Sequence, residues 1–317
     1  MRIDTAISKY TDYRLSLGEK FRVNGYILRD FASHVGQDAD LNTITNQQSL
    51  DFLYSKAGIN TQVTSYWFCI YAAINGLFLW AVPRGYAEKN PLPIDKPKEP
   101  VAFEPYIYSK DELRLIFNTA LHYRKRFNIF YPEVIQCMLK VTYMLGLRPS
   151  ETVKFSISDI RLGDDNYALI RETKFYKSRL VTFNNQVALL LSSYMKWRRD
   201  HGLSEVGEAP LFQDKKAQPM KLSGFQQAFR LICDKAKIHR PDLETSRSDV
   251  RLQDLRHTFA TDRVTYWYES GKDVQELLPV LSTYLGHCNL DSTAVYITFT
   301  DALLKEASNK FESYNGR

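Results

Sequence analysis

Pro91-Leu92-Pro93-Ile94-Asp95-Lys96-Pro97-Lys98-Glu99-Pro100-Val101-Ala102-Phe103-Glu104-Pro105 sets five prolines in fifteen residues. Proline lacks an amide donor and its ring clashes with the preceding helical turn, so no helix runs through this stretch. It reads as an extended, semi-rigid linker, residues 91–105, between a first domain (1–90) and a second (106–317). A chain of 317 residues is long enough for two domains, each burying its own core.

Ahead of the linker, apolar residues recur at helical spacing in four segments. They begin at Ile7, Tyr10 and Tyr13-Arg14, run from Tyr26-Ile27 to Val35, from Gln47 to Tyr54, and from Thr64 to Trp80. No strand-like alternation of comparable length occurs, so the first domain is expected to be a small all-helical module. Tyr66 to Val82 is nearly all apolar. It falls short of the ~20 residues of a membrane helix and is interrupted by Asn75-Gly76. Its aromatics, among them Trp67, Phe68, Phe78 and Trp80, suit a helical core, and no membrane partner is expected.

Beyond the linker, Ser109-Lys110-Asp111-Glu112 forms a capping box that opens a helix carrying Leu113, Leu115 and Ile116. Val134 to Leu145 continues at helical spacing and stops at Gly146. Tyr167-Ala168-Leu169-Ile170 and Leu180-Val181-Thr182-Phe183 read as two short strands around a polar turn holding Lys174, Lys177 and Arg179. Helices are expected at 185–199, 222–236, 251–268, 273–285, briefly around Tyr296, and at 301–312. The fold class is therefore mainly α, with a small β-hairpin in the second domain.

The net charge of +6 and a pI of about 8.9 give a moderate basic bias. Residues 1–90 hold nine Lys/Arg against eight Asp/Glu, so nearly all the excess lies further on. Arg124-Lys125-Arg126, Lys196 with Arg198-Arg199, and Lys215-Lys216 are local clusters. Cys69, Cys137, Cys233 and Cys288 show no paired metal spacing, and the first three sit among apolar residues as buried thiols do. A reducing compartment follows, and no signal peptide is visible at the N-terminus.

Three motifs point to chemistry. They are Gly146-Leu147-Arg148-Pro149-Ser150-Glu151, Asp254-Leu255-Arg256-His257, and Leu285-Gly286-His287 with Tyr296 nine residues after the histidine. Metal-free cleavage of a phosphodiester needs cations on the non-bridging oxygens, a nucleophile in line, and a proton for the leaving oxygen. Two arginines, a tyrosine and a lysine or histidine supply that set. These motifs, in this order and spacing, resemble the tyrosine recombinase (phage integrase) family across both domains.

The resemblance implies a helical core-binding domain, a catalytic domain, and a clamp on duplex DNA. It also implies strand cleavage through a 3′-phosphotyrosine without metal, ATP or other cofactor, by a homotetramer on two specific sites, alone or with a partner recombinase. A cytoplasmic, nucleoid-associated protein of a mobile element is expected. Arg148 and Arg256 would clamp the scissile phosphate, His287 would hydrogen-bond it, and Tyr296 would be the nucleophile. Among 20 tyrosines only Tyr296 has the nine-residue offset; Tyr284 reads as packing and Tyr314 as part of a frayed tail. Lys174 would be the general acid, with Lys177 as rival because hairpin register is uncertain by a few residues.

Glu151 reads as an orienter of Arg148 or a helix cap, and His257, about 100° round a helix from Arg256, as structural. Gln253 departs from the family, which has a histidine there. An amide donates to phosphate but exchanges no proton near neutral pH, which leaves the general base open. The basic residues Arg124, Lys125, Arg126, Lys196, Arg198 and Arg199 are expected to contact DNA phosphates. Segment 301–312 carries Leu303, Leu304, Ala307 and Phe311 on one face, which must pack on its own domain or on another chain; the resemblance implies docking in a groove of the neighbouring protomer. The rival functions are a type IB topoisomerase, a recombinase-derived DNA-binding protein that does not cut, and a helical adaptor without nucleic acid.

Overall fold

A computed structural model describes residues 1–55, 63–100, 104–123, 130–171, 178–240, 250–286, 293–297 and 300. The chain falls into two compact units, Met1–Phe103 and Glu104–Arg317.

The first unit holds four helices: α1 (Ile3–Ser16), α2 (Arg22–Val35), α3 (Asn46–Ser55) and α4 (Ser65–Ala81). Their apolar stripes meet in one core: Ile3, Ile7 and Tyr10 of α1, Ile27, Leu28 and Phe31 of α2, Phe52 and Leu53 of α3, and Trp67, Ile74, Leu77 and Phe78 of α4. The helical run Ser65–Arg84 is long and apolar enough to cross a membrane. Half of it lies inside this unit, because α4 is the core helix. The polar break at Asn75 is met by Asn90, whose amide donates to Asn75 Oδ1 at 2.8 Å. Cys69 differs from the sequence expectation: it lies on the outer face of α4 and is exposed, while Cys137 and Cys233 are buried.

The start of the proline-rich stretch is not free chain. Asn46 Nδ2 donates to Pro91 O at 2.8 Å, Tyr71 donates to Pro93 O at 2.9 Å, and Leu92 is buried. Residues 91–93 therefore finish the helical unit instead of spanning away from it.

The second unit contains α5 (Lys110–Leu121), α6 (Pro132–Met144), the single turn α7 (Pro149–Thr152), α8 (Asn185–Asp200), α9 (Leu222–Ala236), α10 (Asp254–Glu269) and α11 (Val274–Leu285). Both reciprocal bonds of the Ser109/Glu112 capping box open α5. Asn184 and Asp273 cap α8 and α11 through their side chains. A three-stranded antiparallel sheet, β1 (Ile160–Arg161), β2 (Tyr167–Ile170) and β3 (Arg179–Thr182), lies in that order. β1 has two residues, too few for alternation to show in sequence. Helix α10 starts at Asp254 and not at residue 251. The fully buried Asp254 carboxylate takes the Arg251 backbone N–H at 2.9 Å and its guanidinium, which holds 251–253 as a turn.

The main core of this unit runs through α5, α6, α8, α9 and the sheet. A second cluster joins Phe259, Val264 and Trp267 of α10 to Leu281 and Leu285 of α11 and to Tyr296. Tyr296 itself lies in a short helical piece, residues 293–297. That second cluster carries the candidate site on its rim.

Candidate active site

The chain reaches Arg148 through Gly146, which sits at φ +60°; a Cβ there would fall 2.3 Å from the Phe259 ring. Only glycine fits both the left-handed backbone and the ring beneath it. Arg148 then caps α7, its backbone N–H donating to Glu151 Oε2 and its Nη1 to Glu151 Oε1, both at 2.9 Å. Arg148 Nη2 donates to the Gly286 carbonyl at 3.1 Å, which ties the first motif to the third.

Arg256 is 1% exposed. Its Nη1 donates to Gly146 O at 3.0 Å and its Nη2 to Leu285 O at 2.6 Å, and Nη1 lies 3.8 Å from Glu151 Oε2. One guanidinium thus touches all three motifs. Burial, then the neighbouring Arg148, push its pKa down to about 9. A buried cation beside a like charge is electrostatically unsatisfied, and an anion relieves it.

Glu151 orients Arg148 and caps α7, and it also binds Arg179. Arg179 Nη1 and Nη2 donate to Glu151 Oε1 and Oε2 at 2.9 Å each, a bidentate pair. Arg179 Nε donates to Tyr284 O at 2.9 Å, and a Cβ at Gly286 (φ +68°) would lie 3.1 Å from its Nη1. Burial alone would raise the Glu151 pKa; the Arg179 bonds, the Arg148 backbone N–H and Arg256 outweigh it and hold it near 2. Three guanidiniums therefore share one carboxylate. In the sequence Arg179 falls in a polar turn that suggests no role for it. The missed signal is alternation along β3, where Arg179 shares a face with fully buried Val181.

Tyr296 is 1% exposed. Burial raises its pKa, and Arg256 and Arg148 act against that rise, so both motif arginines lie within electrostatic reach of the phenol. His257, read from sequence as structural, stands on this phenol: Nδ1 is 3.1 Å from Tyr296 Oη. Burial, then Arg251 and Arg256, lower the His257 pKa to about 4, so its imidazole is neutral at pH 7.

Gln253 precedes α10 and lines a cleft of about 860 Å³ with Arg148, Ser150, Gly224, Gln226 and Arg230. Tyr284 packs as expected, stacked on Phe259 with ring centroids 5.7 Å apart. Lys174, Lys177, His287, Arg124-Lys125-Arg126 and segment 301–312 lie outside the described residues. Lys196 and Arg199 are exposed, Arg199 beside Glu205 at 3.5 Å. Arg198 corrects the sequence expectation. It is 1% exposed, and its guanidinium donates to the carbonyls of Pro210, Leu211 and Ser204, so it holds the loop after α8 and has no face for DNA. Among the described residues no group of three His, Cys, Asp or Glu could hold a metal ion.

Residues 110–302 match the phage integrase family, and this chain belongs to that family. It is 28% identical over 309 residues to y4rB of Sinorhizobium fredii, a chain classed by name as an integrase/recombinase, covering 97% of this chain and 96% of that one. It is 26% identical over 251 residues to the tyrosine recombinase XerC of Bacillus subtilis, covering 78% of this chain and 73% of XerC. In fold it is similar to the Tn1549 transposon integrase solved with a circular intermediate DNA, at TM-score 0.66 and 14% identity, covering 93% and 94% of the two chains. The XerH site-specific recombinase in its post-cleavage complex matches at TM-score 0.62 and 18% identity, covering 92% of this chain and 79% of XerH.

Proposed function

We propose that this chain is a site-specific DNA recombinase that cleaves and rejoins strands through a 3′-phosphotyrosine at Tyr296. The observation that carries this reading is Arg256. Its guanidinium joins Gly146, Leu285 and Glu151, and with Arg148 it lies within electrostatic reach of the Tyr296 phenol. A phosphate entering between Arg148 and Arg256 gains two cations at its non-bridging oxygens. Tyr296 attacks phosphorus, the 5′ oxygen leaves with a proton from Lys174, and His287 hydrogen-bonds the phosphate. A 5′-hydroxyl from the partner duplex then attacks the phosphotyrosine and restores the backbone. The covalent link conserves the bond energy, so neither ATP nor a metal ion is required.

Double-stranded DNA carrying specific sites is the partner, bound by four protomers across two duplexes, with segment 301–312 linking neighbours. The protein works in the cytoplasm and serves a mobile element. Exposed Lys196 and Arg199, with Arg124-Lys125-Arg126, are the phosphate contacts that set affinity and salt dependence.

The test is a nicked suicide duplex whose sequence is taken from a randomised pool by selection on the Tyr296→Phe protein. Wild type should form an SDS-resistant adduct in the presence of EDTA, and Tyr296→Phe should bind equally and form none. An adduct with the Phe variant would refute the nucleophile, and metal dependence would refute the mechanism. Exchange between two sites, against relaxation of one supercoiled circle, separates recombination from a topoisomerase.

A further inference from the structure

Removal of the phenolic proton has no owner yet, because Gln253 stands where the family resemblance implies an imidazole. A different imidazole lies beside the phenol. His257 Nδ1 is 3.1 Å from Tyr296 Oη, and the ring centroids are 5.8 Å apart. The two residues are 39 apart in sequence, and Tyr296 is 1% exposed, so the contact is made in the interior and not across a solvated surface. Arg256 and His257 are successive residues of α10. One reaches the carbonyls of Gly146 and Leu285, the other the phenol. A single helix start therefore brings a cation and an imidazole nitrogen to the same site.

We propose that His257 is the general base of the cleavage step. It carries its own proton on Nε2 and presents the Nδ1 lone pair to Tyr296. As Tyr296 Oη bonds to phosphorus, the phenolic O–H bond breaks and its proton passes to Nδ1. The P–O5′ bond breaks with its electron pair on the 5′ oxygen, which takes a proton from a separate acid. In rejoining, the attacking 5′-hydroxyl returns a proton to that acid's conjugate base. The proton on Nδ1 then goes back to Tyr296 Oη as the phenol departs. This assignment rests on the reading of Tyr296 as nucleophile.

The electrostatics suit a base that waits for its substrate. Among the described residues, the charged and titratable groups acting on His257 are Arg251 in the preceding turn, Arg256 on its own helix, and Tyr296 opposite. Burial and the two arginines keep the imidazole unprotonated at neutral pH, and they also make it weak in the empty site. A phosphate anion between Arg148 and Arg256 cancels part of that positive field. The imidazole gains basicity when there is a phosphorus to attack.

Single-turnover adduct formation on the selected nicked duplex tests this with His257→Ala and His257→Asn. The Asn carbonyl keeps an acceptor near the Nδ1 position and cannot take a proton. Both variants should bind the duplex as wild type does and form adduct about 10²–10⁴-fold more slowly at neutral pH, the usual range for a lost general base. Their rates should climb with alkaline pH, where the wild-type rate is flat. The loss should persist on a duplex with sulfur as the bridging 5′ atom, since that change relieves only the acid. His257→Asn at the wild-type rate would reduce His257 to a holder of the phenol and overturn the proposal. So would a loss that vanishes on the sulfur substrate, or loss of DNA binding in both variants. No adduct with wild type would bring down the Tyr296 reading itself, whereas wild-type adduct with an unaffected Asn variant would remove only His257 from the chemistry.

Discussion

Two arginines of the second unit are equally buried, at 1% exposure, and do opposite things. Arg198, near the end of α8, spends its guanidinium on the carbonyls of Pro210, Leu211 and Ser204. Arg256, in the first turn of α10, also binds two carbonyls, but it lies beside Arg148 and Arg179 around the single carboxylate of Glu151. Arg198 is a tie whose Nη1 and Nη2 donors meet neutral acceptors. Arg256 belongs to a cluster with more positive than negative charge, held together by carbonyl dipoles. Burial alone does not distinguish a structural cation from a site cation; an uncompensated charge of the same sign next to it does.

The pair can be broken most visibly by alanine at each position. Arg256→Ala should lower the rate of adduct formation by at least about 100-fold, the scale for removing a preorganised charge-stabilising group. Arg198→Ala should leave the rate per folded molecule unchanged and lower stability by about 3 kcal/mol or more, since several buried carbonyls lose their donor. Urea titrations beside single-turnover assays measure both. Equal loss of activity in the two variants would erase the distinction.

Glu151 sharpens the comparison, because the cluster depends on it. Glu151→Gln should destabilise the second unit by roughly 3–5 kcal/mol, the cost of leaving a buried guanidinium partner uncompensated. Its carboxyl is held near 2, below its ordinary 4.5. The stability it contributes is therefore complete above the ordinary value and is lost as pH falls through the lower one. Acid titration of the wild type should show that loss between about pH 4.5 and 2, and the Gln variant should lack it.

The smallest effect concerns the surface around Arg198. Lys196→Ala and Arg199→Ala should each reduce the salt dependence of DNA binding by about one unit of slope, with little change in stability. An Arg198 variant of preserved fold should keep the full slope. A reduced slope there would restore Arg198 as a phosphate contact.

These contrasts mark what the sequence could and could not tell. The four helices of the first unit and those of the second, except the single turn α7, were legible from apolar spacing and, for α5, from its capping box. Arg148, Arg256 and Tyr296 were candidates because short motifs in a set order carry them. The role of Arg198 could also have been read: Val187, Leu191, Tyr194 and Arg198 form one buried stripe along α8, so the arginine occupies a core position inside a charge run. Arg179 left only a faint trace, since alternation over four strand residues is short. His257 left none. Nearly every residue from Asp254 to Thr261 is buried, so angular position on α10 does not say what each one meets. Its partner is brought from residue 296 by the packing of α10, α11 and the short helical piece, a non-local contact that no spacing rule encodes.

The most direct measurement is to trap the covalent protein–DNA adduct, digest it with protease and nuclease, and locate the residual nucleotide by mass spectrometry. The account predicts one modified peptide, with the nucleotide joined through its 3′ phosphate to Tyr296. A nucleotide on any other residue, a 5′-phosphate linkage, or no adduct from a protein that binds the same duplex would contradict it.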